Sequence, residues 1–289
     1  MRLKPERETA ARRSTQALDA SKSTERGHMA QMFANAVAYE EMMGRWSKCL
    51  AALFLDFTGI RDAHKILDVG CGTGSLVRSI LDRTREAQIV GIDPAQAFID
   101  YSRAHFPDAR VTFDCGSALK LPYPDASFDH ALSLLVFQFL QQPGTAASEM
   151  RRVTRTGGTV AACTWDRTGQ EMSDLFWEEC VNLDPGAEER AQRPKVCNQV
   201  GQLSELWRAT GFEGVEEITL EMRTDFTCFD DFWLPYTKGV GPQGMYVASL
   251  PPERREVLRD ALRKRLVGDQ DRPFSLRAAA LAVRGTVPH

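Results

Sequence analysis

Three glycines spaced two apart, with a carboxylate just ahead of them, make Leu67-Asp68-Val69-Gly70-Cys71-Gly72-Thr73-Gly74 the part of the chain best suited to hold a ligand. The apolar run from Lys65 to Val69 reads as a buried strand that stops at the glycines, and the helical pattern of Ser75 to Leu81 starts directly after them. Glycine permits φ > 0 and close approach of a ligand to the main chain, and the free N–H groups of a helix N-terminus face the same spot. The implied chemistry is binding of a nucleotide-like molecule. Asp93 closes a second apolar run, Gln88 to Ile92, and offers a carboxylate that can accept from both hydroxyls of a ribose. Its bland alternative is a cap for the helix that follows.

The glycine spacing narrows the ligand. A dinucleotide fingerprint needs a third glycine three residues after the second, where this chain has Ser75, and no phosphate-binding lysine of the Walker type follows Gly74. A ligand with a ribose but without a required pyrophosphate fits better.

Strands and helices alternate around this turn. Arg110–Asp114, Phe128–Val136 and Thr159–Trp165 read as further strands, with helices over Ala95–His105, Thr145–Thr154 and Leu203–Thr210. This rhythm implies an α/β fold built from βαβ units on a parallel sheet. Gly214–Arg223 and Leu276–Val287 read as late strands, the last as an edge or hairpin strand. Before the glycine turn, apolar residues from Met29 to Phe57 recur at helical spacing, and Gly44 predicts a break into two pieces. Residues 1–29 have almost nothing to bury and are expected to be a disordered tail, leaving 30–289 as one domain with 30–60 as its helical cap. Residues 166–200 and the mainly helical 224–275 interrupt the alternation and are expected to form a substrate lid. Ligands of such sheets lie outside the carboxyl ends of the strands, where Asp68, Gly70, Gly72, Asp93, Ser117 and the Leu134–Gln138 segment converge.

Composition bounds the function. A net charge of −3, with 36 basic against 39 acidic residues, provides no basic field for a polynucleotide. Seven scattered cysteines without a CxxC pair suit a reducing, cytoplasmic compartment. No apolar run approaches a membrane span.

The motifs Leu67–Gly74, Gly91-Ile-Asp-Pro94, Leu121-Pro-Tyr-Pro-Asp-Ala-Ser-Phe-Asp129, Glu149–Gly158 and Ala209-Thr-Gly-Phe212 resemble, in order, those of the class I S-adenosylmethionine-dependent methyltransferases. Within that family they are most similar to the small-molecule branch of the ubiquinone and menaquinone methyltransferases. The resemblance implies a Rossmann-like seven-stranded sheet, order 3-2-1-4-5-7-6, with strand 7 antiparallel, flanked by helices, and with 224–275 inserted between strands 6 and 7. It implies S-adenosyl-L-methionine as cofactor and S-adenosyl-L-homocysteine as product. Asp68, Gly70, Cys71, Gly72 and Gly74 would approach its methionine part, Asp93 and Pro94 its ribose, and Ser117 and Ala118 its adenine, with Leu134 and Arg45 alongside. Ser117 departs from the usual Asp and supplies an uncharged acceptor instead. Gln138 stands where many relatives carry His.

Methyl transfer from a sulfonium is an in-line displacement whose leaving group is already activated, so positioning and a dry site are the main requirements. The candidates for contact with the acceptor are Asp166, as base or anchor, with Gln138 and Tyr39; His130, within a core strand, is expected to be structural. Trp165, Trp233 and Tyr236 could face a cation. The expected partner is a small molecule bound by a monomer or homodimer, with no metal implied. The alternatives are a cofactor-binding sensor without transfer activity and an oxidoreductase.

Overall fold

The computed structural model describes residues 36–62, 64–191 and 196–289; the expected tail 1–29 and the first residues of the helical cap lie outside them. Seven strands form one sheet: β1 (Lys65–Val69), β2 (Gln88–Asp93), β3 (Val111–Cys115), β4 (Phe128–Leu134), β5 (Thr154–Gln170), β6 (Glu213–Phe226) and β7 (Phe274–Thr286). Their order is β3-β2-β1-β4-β5-β7-β6, with β7 antiparallel to both neighbours and the other pairings parallel. The chain winds outward from β1 to β3 and returns to β4, so the order reverses between β1 and β4. A crevice opens there at the carboxyl ends of the strands. In-register pairing of Asp68 with Gly91 and with Leu132 brings the glycine turn, the end of β2 and the end of β4 to one rim.

Helices cover the sheet: α1 (Ala36–Thr58), α2 (Ser75–Arg83), α3 (Gln96–His105), α4 (Pro143–Val153), α5 (Glu171–Leu183), α6 (Glu188–Ala191), α7 (Gln202–Thr210), α8 (Phe229–Trp233), α9 (Gly241–Ser249) and α10 (Pro252–Leu266). The core residues recur at the spacing each element demands. Trp46, Leu50, Phe54 and Phe57 bury one face of α1, while Ile66, Leu67 and Val69 are buried on both faces of β1.

Three sequence expectations need correction. The N-terminal helix is not broken at Gly44: α1 runs through it, and the missing side chain leaves room for the Glu40 carboxylate. The glycine makes room inside a helix and does not end it. The last strand is not an edge strand; β7 lies between β5 and β6, with Ala280, Ala282, Leu281 and Val283 fully buried. Finally, β5 does not end at Trp165. Its pairing with β7 shifts between Trp165 and Gln170, so the first insertion begins as a bulge within a strand that ends at Gln170.

All seven cysteines are free, and no helix among the described residues is long and apolar enough to cross a membrane. His130 is buried on β4, with its Nε2 2.8 Å from Nδ1 of His64. Burial, and then the neighbouring His64, pulls its pKa down to about 4. The folded state therefore resists a proton that the unfolded chain accepts near pH 6.5. Stability from keeping His130 neutral is complete above about pH 6.5 and declines toward pH 4, by at most about 3 kcal/mol. Urea unfolding between pH 7.5 and 4.5 should show this acid limb flattened in His130→Asn; an unchanged limb would assign the loss to other groups.

Candidate functional site

The glycine turn is held by β2. The amides of Gly70 and Cys71 donate to the Ile92 carbonyl at 2.7 and 3.1 Å, and Gly72 N donates to Asp93 Oδ2 at 3.0 Å. The other carboxylate oxygen, Oδ1, accepts from Ala95 N at 2.9 Å, at the start of α3. Gly70, Gly72 and Gly74 all have positive φ, at 77, 52 and 86°. A side chain at Gly70 would also run into Val136. Asp93 thus performs its bland role of bracing the turn and the next helix. A carboxylate has about four acceptor positions, so two remain for ribose hydroxyls.

Asp68 lies beneath the turn, 1% exposed, and neither of its oxygens has a hydrogen-bond partner among the described residues. Burial first, and then repulsion from Asp93, pushes its carboxyl up to about 8. Burial likewise raises Asp93, against the pull of its bonds from Ala95 and Gly72. A buried carboxylate without a partner costs stability until a cation or donor reaches it. That orphan group beside a cradle of glycine amides fits a ligand with a ribose and a cationic amino acid part.

The remaining residues expected at the cofactor are placed as follows. Cys71 is buried, and its thiol is pushed well above the usual range by burial first and then by Asp68 and Asp93. The Pro94 carbonyl faces the Cys115 thiol at 3.7 Å. Ser117 Oγ accepts from Leu119 N at 3.2 Å within a local turn, and Ala118 is buried beside it. Leu134 packs against the core, while its neighbour Leu135 takes a left-handed φ of 63°. Such a conformation in a bulky residue is rare and clusters at functional sites. Arg45 is not brought to the cradle. Its guanidinium is held by Asp231 at 2.6 and 3.1 Å and by the Asp225 carbonyl at 2.7 Å, on the far part of the chain.

The three candidates for acceptor contact do come together. Tyr39, Gln138 and Asp166 line one cavity of about 180 Å³, walled by Met42, Met43, Trp46, Trp165 and Trp177. Gln138 Oε1 accepts from Trp165 N at 2.9 Å, which fixes its amide against β5. Asp166 Oδ1 accepts from both N and Oγ1 of Thr168 at 2.9 Å, the hydrogen bonds that shape the bulge. Burial, followed by the charge of Asp93, raises the Tyr39 phenol, which therefore stays protonated and serves as a donor. Tyr39 also packs on Phe98 of α3, with ring centroids 5.2 Å apart, so it stands between cradle and cavity. Sequence reasoning passed over Glu40, whose Oε2 accepts from Thr73 Oγ1 at 2.7 Å and pins α1 to the glycine turn. No local signal marks a pair so far apart in the chain. Leu135 also lines the cavity.

Comparison with known proteins agrees with this geometry. Residues 67–162 match a family model described as a methyltransferase domain. The chain is 30% identical over 143 residues to the biotin biosynthesis bifunctional protein BioHC of Cellvibrio japonicus, covering 49% of this chain and 28% of that one. It is 30% identical over 141 residues to the demethylmenaquinone methyltransferase of Deinococcus radiodurans, covering 45% and 57%. The chain thus spans little more than half the length of these curated relatives at most. The structure of phosphoethanolamine N-methyltransferase 2 from Haemonchus contortus, in complex with S-adenosyl-L-methionine, superimposes with a TM-score of 0.56 at 18% identity, over 88% of this chain and 57% of that one. Residues 67–162 thus match a methyltransferase domain, on a sheet whose strand order is the one that the resemblance to the class I S-adenosylmethionine-dependent methyltransferases implies. S-adenosylmethionine is the cofactor that the cradle fits.

A carboxyl near pH 8 must ionise to receive a cationic amino acid group. Affinity for S-adenosylhomocysteine should therefore rise with pH, by up to about tenfold per unit, and level off near pH 8. Calorimetry from pH 6.5 to 8.5 should show this slope in the native protein and lose it in Asp68→Asn; parallel slopes would place the titrating group elsewhere.

Proposed function

We propose that the protein transfers the methyl group of S-adenosylmethionine to a small, largely apolar molecule bound in the cavity beneath α1. The observation that carries this reading is the shared wall. Tyr39, packed against Phe98 with its ring tilted and within the field of Asp93, also lines the cavity together with Leu135 and Gln138. A molecule in the cavity therefore meets the cradle at that wall.

When bound, S-adenosylmethionine supplies an electrophilic methyl on a sulfonium. Gly70 to Gly72, Asp68 and Asp93 would hold it by main-chain amides and carboxylates. Gln138, locked by Trp165, presents its amide N–H groups to the acceptor, and Tyr39 presents a hydroxyl. Trp165, Trp177 and the methionines exclude water, which strengthens each of these contacts. Asp166 is positioned for anchoring or proton acceptance at its free Oδ2. The two insertions supply the outer wall through Ser173, Trp177, Tyr236 and Gln243, in keeping with a lid. Which nucleophile (O, N, C or S) is methylated follows from the acceptor.

Incubation with S-adenosylmethionine and a panel of apolar phenols, quinols, amines, thiols and carboxylates should yield S-adenosylhomocysteine with at least one class, detected by mass spectrometry. Asp93→Ala should weaken cofactor binding by about 1.5–3 kcal/mol. Gln138→Ala should lower turnover while leaving cofactor affinity intact. Tight cofactor binding without product across the panel would favour a sensor over an enzyme.

A further inference from the structure

The cavity is apolar along most of its wall but carries a cationic group at one end. Arg167, on the β5 bulge, and Arg190, on α6, both line it, whereas Asp166 is the one carboxylate among the described lining residues. Half of that carboxylate is already engaged, because its Oδ1 accepts from Thr168 twice. Arg190 donates from Nη1 to Ser249 Oγ at 3.0 Å and lies over the Tyr246 ring, 5.7 Å from its centroid. Both partners are neutral, and no salt bridge to a carboxylate holds Arg190 among the described residues. A guanidinium has five N–H donors, so most of them remain for a ligand.

The geometry also separates the two ends of the cavity. Tyr39 marks the cofactor end through its packing on Phe98 of α3. Arg190 marks the outer end, through Ser249 at the close of α9 and Tyr246, which packs on Trp177 at 5.4 Å. Trp46, Trp165 and Met172 also line the cavity. Low-dielectric walls around a cationic group focus its field on the cavity mouth and favour an anion there.

Resting on the methyltransferase reading, we infer that the acceptor is an amphiphilic acid: an apolar body seated among the tryptophans and methionines, with a carboxylate held by Arg190. The pairing of guanidinium with carboxylate is charge-assisted and geometrically matched, which gives it more weight than a bond to a hydroxyl.

Calorimetric titration of the protein loaded with S-adenosylhomocysteine compares two probes of like shape, 4-phenylbutyrate and 4-phenyl-1-butanol. The acid should bind about tenfold tighter or more, as expected for a charge-assisted bond. The preference should shrink on raising salt from about 0.05 to about 0.5 M, because the mouth is open to solvent. In Arg190→Gln the two probes should bind within about twofold of each other, with the melting temperature kept, since this side chain is exposed. Equal binding of the two probes by the native protein, or binding of neither, overturns the inference. So does a preference that survives in Arg190→Gln. Should the variant fail to fold, a preference in the native protein that is insensitive to salt overturns it. Affinity for S-adenosylhomocysteine, measured in the same calorimeter, separates the two levels. Its absence sinks the methyltransferase reading, whereas lost discrimination between probes sinks the acid acceptor alone.

Discussion

The carboxylate of Asp93 is the interaction on which the rest of the site depends. One oxygen takes the amide of Gly72 and the other that of Ala95, so a single side chain joins the glycine turn, the end of β2 and the start of α3. Burial opposes its ionisation, and the two amides offset that penalty. The Ile92 carbonyl, Glu40 through Thr73, and Ser102 through the Gly72 carbonyl hold the turn as well. Because Asp68 lies just below with no hydrogen-bond partner among the described residues, the cradle is assembled with two carboxyl groups close together. Such a cluster is unfavourable in isolation and complementary to a cation, a stability cost that a ligand removes.

The N-terminal helix shapes both halves of the site. Through Glu40 and Thr73 it is fastened to the turn, through Tyr39 it screens the cofactor side, and through Met42, Met43 and Trp46 it forms one wall of the cavity. Its lower half is anchored elsewhere: Arg284 of β7 donates to the Phe57 carbonyl at 2.7 Å, and Arg83 of α2 donates to Asp56 at 2.6 Å. The helix is therefore set in place by elements at both ends of the chain. Gly44 lets its upper turns keep the Glu40 carboxylate folded against the helix.

Much of this architecture is legible in the sequence where the signal is local. The strands β1 and β2, the glycine turn and α7 fall within a residue of where apolar runs, glycines and caps put them, since each is specified by neighbours in the chain. The resemblance supplied the order of strands, which no local pattern contains. What escaped reading is long-range. Arg45 meets Asp231 rather than the cofactor, across nearly two hundred positions, and nothing in its own segment announces that partner. Leu135 was overshadowed by Leu134 because a left-handed residue at a strand end leaves no trace in hydropathy. The bulge after Trp165 was read as the strand's end, as a shift in pairing depends on β7, far downstream. Gly44 is ambiguous in sequence because in a helix the same residue type signals either a break or a close contact.

The position of β7 carries a consequence for how this domain can be divided. The recognisable methyltransferase region, residues 67–162, ends within β5, and the outer edge of β5 is covered by a strand that the chain makes last. Cut free at that boundary, β5 would present a row of unsatisfied amides and carbonyls along Val160, Ala161 and Ala162, all apolar and uncharged. Such an edge is a template for pairing with another copy of itself. The matched segment thus leaves one edge of its sheet open until β7 pairs with it.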